Sequence, residues 1–225
     1  MKHLNIQNMK RAIFSMLCGI VLFSACERDR LTANGDMMTE NRTPGEFTSV
    51  HASGANRVKI SYGNECKIVL KGSSNLIPYF KTTVINKQLN LSYKNANIRY
   101  DDLEIFVTLP VLKGASLSGS GNIDITGGFP ATDELRLAIS GSGDISLGDM
   151  LTVEHLYAGI SGSGKMFLQK VSAREADIDI SGSGDVHLQV HDKLKARISG
   201  SGDIYYKGDP QLDSRISGSG KLIRY

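Results

Sequence analysis

Tryptophan is absent from the 225 residues, proline occurs only 5 times, and cysteine only 3 times. Set against 24 glycines, these scarcities fit a turn-rich β protein better than a helical one. The apolar run from Ala12 to Ala25 is too short to span a bilayer comfortably. Excess charge is missing too. Residues 1–25 hold Lys2, Lys10 and Arg11 and no acid, so beyond them Lys+Arg is 26 − 3 = 23 against 23 Asp+Glu. The formal +3 therefore belongs to the leader, and a nucleic-acid footprint is excluded. A Gly-Lys-Ser/Thr segment opening a helix is also missing, which removes the phosphate-cradling loop.

Residues 1–25 have the form of a lipoprotein signal peptide: Lys10-Arg11, then the apolar run, then Phe23-Ser24-Ala25-Cys26, which resembles the bacterial lipobox. The resemblance implies that Cys26 is the lipidated first residue of the mature chain, with Phe23 departing from the commoner aliphatic residue at its position. An ordinary secretory leader with a chance cysteine is the plainer alternative. Cys18 leaves with the leader, so Cys66 is the one free thiol of an exported chain and no internal disulfide forms. In Glu65-Cys66-Lys67-Ile68-Val69-Leu70, period two puts Cys66 on the face of Ile68 and Leu70, as a small buried hydrophobe. Residues 26–46 are polar and without apolar periodicity, and read as the lipidated cysteine followed by a flexible tether.

What the chain has in abundance is Ser-Gly-Ser-Gly. Copies begin at Ser118, Ser140, Ser161, Ser181, Ser199 and Ser217, spaced by 22, 21, 20, 18 and 18 residues. That regularity marks an internal repeat. Each copy follows an apolar residue (Leu117, Ile139, Ile160, Ile180, Ile198, Ile216), and alternation resumes beyond it, as in Ile145-x-Leu147 and Val186-x-Leu188. Period two means strand with one buried face. One coil of this size cannot offset its own ordering entropy, so it needs neighbours above and below. The expected architecture is all-β: a parallel β-helix-like solenoid over residues 113–225, preceded by a small antiparallel or mixed β unit over residues 47–112.

Within 47–112, Ser53-Gly54-Ala55-Asn56 reads as a degenerate first copy of the repeat, and Thr82–Ile85 and Gln88–Tyr93 across Asn86-Lys87 read as a hairpin. A short helical turn is expected within 75–80. Leu103-x-Ile105-x-Val107-x-Leu109-Pro110 is the strongest strand of this half.

The leader, the segment Ile105-Phe106-Val107-Thr108-Leu109-Pro110 and the serial Ser-Gly-Ser-Gly-Asp-Ile copies together resemble the putative auto-transporter adhesin, head GIN domain family of Bacteroidetes, over about Phe47 to Tyr225. The resemblance implies an all-β domain with a β-helical portion and an adhesive role, and supplies no site residues.

Six pairs of glycines are structural corners on this reading: Gly119 and Gly121, Gly141 and Gly143, Gly162 and Gly164, Gly182 and Gly184, Gly200 and Gly202, Gly218 and Gly220. Unchanged parity puts both glycines of each pair inward and both serines outward, the serines stacking into a hydroxyl ladder. Asp144, Asp185 and Asp203 invite comparison with calcium-binding β-rolls, but their aligned places in other coils are Asn122, Lys165 and Lys221, and a lysine cannot ligate calcium. No metal and no cofactor are expected. Asp177 and Asp179, and Glu154-His155, are the acids a polysaccharide-cleaving enzyme would use, and they also match an ordinary solvated strand. The chain is read as a non-enzyme.

The column Asp124, Ser146, Phe167, His187, Tyr205, Ile223 changes from small and polar to large, so that Phe167, His187 and Tyr205 form a stacked strip, either a binding strip for a glycan or protein ligand or packing that stiffens the sheet. The last strand, Lys221–Arg224, offers an edge for a homo-oligomer, or one guarded by its two cations. The functional expectation is a cell-envelope lipoprotein, membrane-bound through its lipid at the outer membrane, acting as an adhesin or binding module. The alternatives are an envelope scaffold without a ligand and a carbohydrate-active enzyme.

Overall fold

Alternating apolar residues become extended strand where neighbours can bury the apolar face. The computed structural model describes residues 30–94 and 96–225, of which 31–225 form one unit. The first half holds β1 (Arg30–Thr32), β2 (Met37–Arg42), β3 (Ser49–Gly54), β4 (Arg57–Tyr62), β5 (Lys67–Ser73), a 3-10 turn (Ile77–Tyr79), β6 (Phe80–Ile85), β7 (Gln88–Tyr93), β8 (Asn97–Tyr100) and β9 (Glu104–Leu109). The repeat region holds β10 (Gly114–Gly119), β11 (Asn122–Thr126), β12 (Thr132–Gly141), β13 (Asp144–Leu147), β14 (Leu151–Gly162), β15 (Lys165–Gly182), β16 (Asp185–Gly200), β17 (Ile204–Lys207), β18 (Gln211–Gly218) and β19 (Leu222–Arg224). Among the described residues no helix is long and apolar enough to cross a membrane.

The fold is a parallel β-solenoid with antiparallel strands at one end. One stack of parallel strands runs β7, β3, β10, β12, β14, β15, β16, β18. The other runs β9, β4, β11, β13, β15, β16, β17, β19, so that β15 and β16 each pass through both. Register is kept throughout: Ser53, Ser118, Ser140, Ser161, Ser181, Ser199 and Ser217 stand in one column. Inward residues of the two stacks, such as Ile139 and Ile160 from one and Ile145 and Met166 from the other, meet in a single core. The coils differ at the bend opposite the corner, and a loop returns at 208–210 in the last coil. The early coils carry loops at 127–131 and 148–150, whereas β15 runs on through the equivalent bend with only local register shifts.

The corner is a backbone device. At Ser140-Gly141-Ser142-Gly143, Gly141 has φ +136° and is half-buried, while Gly143 is fully buried. The N–H groups of Ser142 and Gly143 both donate to the carbonyl of Gly119 in the coil below, at 3.0 and 3.2 Å, and the next corner repeats the arrangement onto Gly141. A Cβ on Gly143 would overlap the Gly121 carbonyl oxygen. Two expectations are corrected here. The positive φ of the first glycine breaks the alternation, so only the second glycine points inward. Among the described residues, no hydroxyl of the six corners bonds another hydroxyl: the ladder is carried by amides.

The division of the chain is corrected as well. Residues 26–46 are not all tether, since β2 pairs antiparallel with β5 from Met37↔Ser73 to Arg42↔Ile68. Arg42 anchors it, its guanidinium donating to the carbonyls of Phe80 at 2.6 Å and Ile77 at 3.1 Å. An edge strand pairs through its backbone, and the exposed Met37 and Met38 leave no apolar alternation to read. Nor does a boundary at 112/113 separate two units. The chain folds β3 and β4 first, detours through β5 to β9, and then lays β10 on β3 and β11 on β4. Ser53-Gly54-Ala55-Asn56 is thus a corner inside the solenoid. β7 and β9 form its bottom layer, extended by antiparallel β6 on β7, by antiparallel β5 on β9, and by β2 on β5. The Asn86-Lys87 hairpin is present, with φ of 51° and 60°. The leader and Cys26 lie outside the described residues.

Candidate binding surface

Each outward column of the solenoid repeats at the spacing of adjacent strands, about 4.8 Å, so side chains on successive coils meet directly. Phe167, His187 and Tyr205 fall in one column, with Ser146 before them and Ile223 after. The rings of Phe167 and His187 are 5.8 Å apart and those of His187 and Tyr205 4.4 Å, all near-parallel. Stacked along the solenoid axis, the rings turn their faces to one another and their edges to water. A sugar that stacks on an aromatic face would find one only at the two ends of the ladder. Loss of water lowers the His187 pKa from its ordinary value, Asp185 opposing and Lys165 adding to the effect. Lys165 and Asp185 pair beside the rings at 2.9 Å.

The acids after the corners are committed to backbone. Asp144 Oδ1 accepts the Lys165 N–H at 2.9 Å, Asp185 the Asp203 N–H at 3.2 Å, and Asp203 the Lys221 N–H at 2.7 Å. Each carboxylate tethers the coil above. This explains why an aspartate serves below a lysine: the partner used is the lysine's amide. Glu154 holds Arg174, and His155 lies 3.4 Å from Glu175. Cys66 is half-buried against the core, its Sγ 3.4 Å from both the amide N and the carbonyl O of Phe47.

The opposite face carries a feature that the repeat pattern conceals. Across β10, β12 and β14 one outward column reads Ser116, Ala138, Gly159, and small side chains there leave a depression of about 590 Å³. Arg136 and Tyr157 in the adjacent column form one wall, the guanidinium lying over the ring at 4.1 Å, with Glu134 holding Arg136 through two hydrogen bonds. That contact draws the Glu134 pKa below the ordinary carboxylate value. Asp177 and Asp179 close one end, and Arg197 bonds both, at 3.2 Å and 3.1 Å. At the other end His51 bridges Ser116 at 2.7 Å and Ser53 at 3.1 Å. Beyond Gly159 a second, mostly apolar groove of about 550 Å³ runs past Ser161, Ser181 and Ser199, with Ile160, Ile180 and Ile198 in its lining.

Gly159 is the informative residue. Glycine inside a strand costs stability relative to alanine, and it is usually explained by positive φ or a close neighbour. Neither holds here: a Cβ at 159 would meet nothing within 4 Å, and no positive φ is present. The missing side chain leaves the floor of the trough open. The sequence carried this signal, a glycine at an outward mid-strand position away from the corners, but the twelve corner glycines masked it.

A profile described as "Putative auto-transporter adhesin, head GIN domain" matches residues 46–210. Similar solved structures include a putative adhesin from Bacteroides fragilis, 22% identical, covering 87% of this chain and 100% of that one, with a TM-score of 0.68. Another putative adhesin, from Parabacteroides distasonis, is 21% identical over 88% of this chain and 100% of its own, with a TM-score of 0.64. A putative lipid binding protein from the same species is 22% identical over 88% of this chain and 100% of its own, with a TM-score of 0.55. These likenesses show the fold. Among curated proteins none matches significantly.

Proposed function

The chain belongs to the putative auto-transporter adhesin, head GIN domain family, and from that premise we propose that it is a non-enzymatic binding module of the cell envelope that holds a carbohydrate in the trough over β12 and β14. The observation that carries this reading is Gly159, a destabilising residue whose one effect is to leave the floor open. The chemistry around it is that of a sugar site. Tyr157, one face of which the Arg136 guanidinium covers, supplies its ring edge and hydroxyl, Arg136, Asp177 and Asp179 supply fixed planar partners for hydroxyls, and the serine column extends the groove for further units of a linear glycan. The stacked strip of Phe167, His187 and Tyr205 serves as stiffening on this reading, because its faces are already used.

The leader supports export, and Cys26 carries the lipid that holds the module at the outer membrane. Replacing Cys26 with serine moves the chain from the membrane to the soluble fraction; continued membrane association of that variant refutes the anchor.

A glycan array probed with the full chain and with Gly159→Val tests the trough. Binding that the wild type shows and the variant loses, at an unchanged or higher melting temperature, supports the proposal. Equal binding by both removes the trough, and no glycan bound by the wild type removes the carbohydrate reading.

A further inference from the structure

We propose that two copies of this chain join end to end through antiparallel pairing of β18 with β18, centred on Ser214. The capped end of the solenoid sets the contrast: there β6 pairs antiparallel with β7, β5 with β9, and β2 with β5. At the other end β18 pairs with β16 alone among the described strands, and all eight of its residues are exposed, including Leu212 and Ile216, whose equivalents in the coils below are buried. One side of its backbone is therefore an open ladder.

The occupant is specified by the strand itself. Gln211-Leu212-Asp213-Ser214-Arg215-Ile216-Ser217 is close to a charge-and-apolarity palindrome. Antiparallel self-pairing must keep inward residues opposite inward residues, so the two-fold axis passes through a residue. Centred on Asp213 it sets two aspartates face to face, and centred on Arg215 two arginines. Centred on Ile216 it leaves Asp213 beyond the strand. Centred on Ser214 it sets Leu212 opposite Ile216 on the core side and Asp213 opposite Arg215 on the outer side, twice each by symmetry.

The free chain has a matching deficit. Arg215 stands directly over Arg197, Asp213 over Lys195, and neither Asp213 nor Arg215 makes an ion pair among the described residues, although Arg197 and Lys195 both do. Self-pairing supplies each with its missing partner and extends the two cores into one. On the other stack Arg224 is engaged by Asp209 at 3.0 Å and lies outside this strand. The inference stands independently of what the trough holds.

Sedimentation of the full chain in mild detergent over the micromolar range, with Asp213→Arg, Arg215→Asp and the double exchange, provides the test. The expected result is a wild-type dimer, a dissociation constant raised about tenfold or more in each single variant, where like charges now face one another, and recovery in the double variant. Circular dichroism checks that these exposed substitutions leave the β signal unchanged. A monomer at every concentration, or single and double variants that associate alike, overturns the proposal.

Discussion

The imidazole of His187 stacks on the ring of Tyr205 with centroids 4.4 Å apart and planes 4° from parallel. Water lost from the ring lowers its pKa, so the folded chain prefers the neutral form. The unfolded chain binds the proton first. Stability from this ring is therefore complete above the unfolded value of about 6.5 and is lost as pH falls from there through the lower folded value. Urea unfolding at pH 7.5 and pH 5 should show this loss, and His187→Phe should flatten the profile in that window. An unchanged profile would show that the ring is not desolvated in the stack.

Two glycines predict opposite signs. At Gly184 a Cβ would overlap the carbonyl oxygen of Gly164 and come within 2.7 Å of Ile160 Cγ2. Gly184→Ala should cost about 1–3 kcal/mol as an overpacked core does. Gly159→Ala, with nothing within 4 Å, should stabilise by about 0.5–1 kcal/mol. Chemical denaturation of both variants checks the pair, and destabilisation by Gly159→Ala would give that glycine a structural role.

The hairpin of β6 and β7 turns at Asn86 and Lys87, both at positive φ. Asparagine tolerates that region and lysine does so at a cost. Lys87→Gly should raise the unfolding free energy by about 1 kcal/mol, measured by denaturant titration.

Tyr93 is held protonated, first by burial and then by its hydrogen bond to Asp101 at 2.8 Å. Its raised pKa gives stability that is complete below the unfolded tyrosine value of about 10 and is lost as pH rises beyond it. Phenolate absorbance during alkaline titration should show one tyrosine that ionises only on unfolding, and Tyr93→Phe should remove it.

Arg42 ties β2 to the 3-10 turn and to β6 through hydrogen bonds to two carbonyls. Bonds from a charged donor contribute about 1.5–3 kcal/mol, so Arg42→Met should loosen the capped end. Hydrogen exchange should then speed up in β2 and β5 while β14 to β16 keep their protection.

Much of the solenoid was legible because its determinants are local and repeated. Period-two alternation puts Ile145, Met166 and Val186 on one side of the strand, and a Ser-Gly-Ser-Gly at nearly constant spacing forces identical corners that stack in register. The aromatic column followed from the same arithmetic. The edge strand β2 was illegible because backbone pairing leaves no side-chain pattern. The detour of β5 to β9 was hidden because sequence order does not reveal that β10 returns to β3. Direction along the chain cannot tell whether a ring offers its face or its edge; that depends on the stacking axis, and here Phe167, His187 and Tyr205 turn their faces to one another. The trough arises only when Ser116, Ala138 and Gly159, more than twenty residues apart from one to the next, become neighbours. By itself the sequence determined the strand, the corner and the repeat, each a matter of residues close in the chain. Only the tertiary structure decided which columns are open, because openness depends on what stands on the coils above and below.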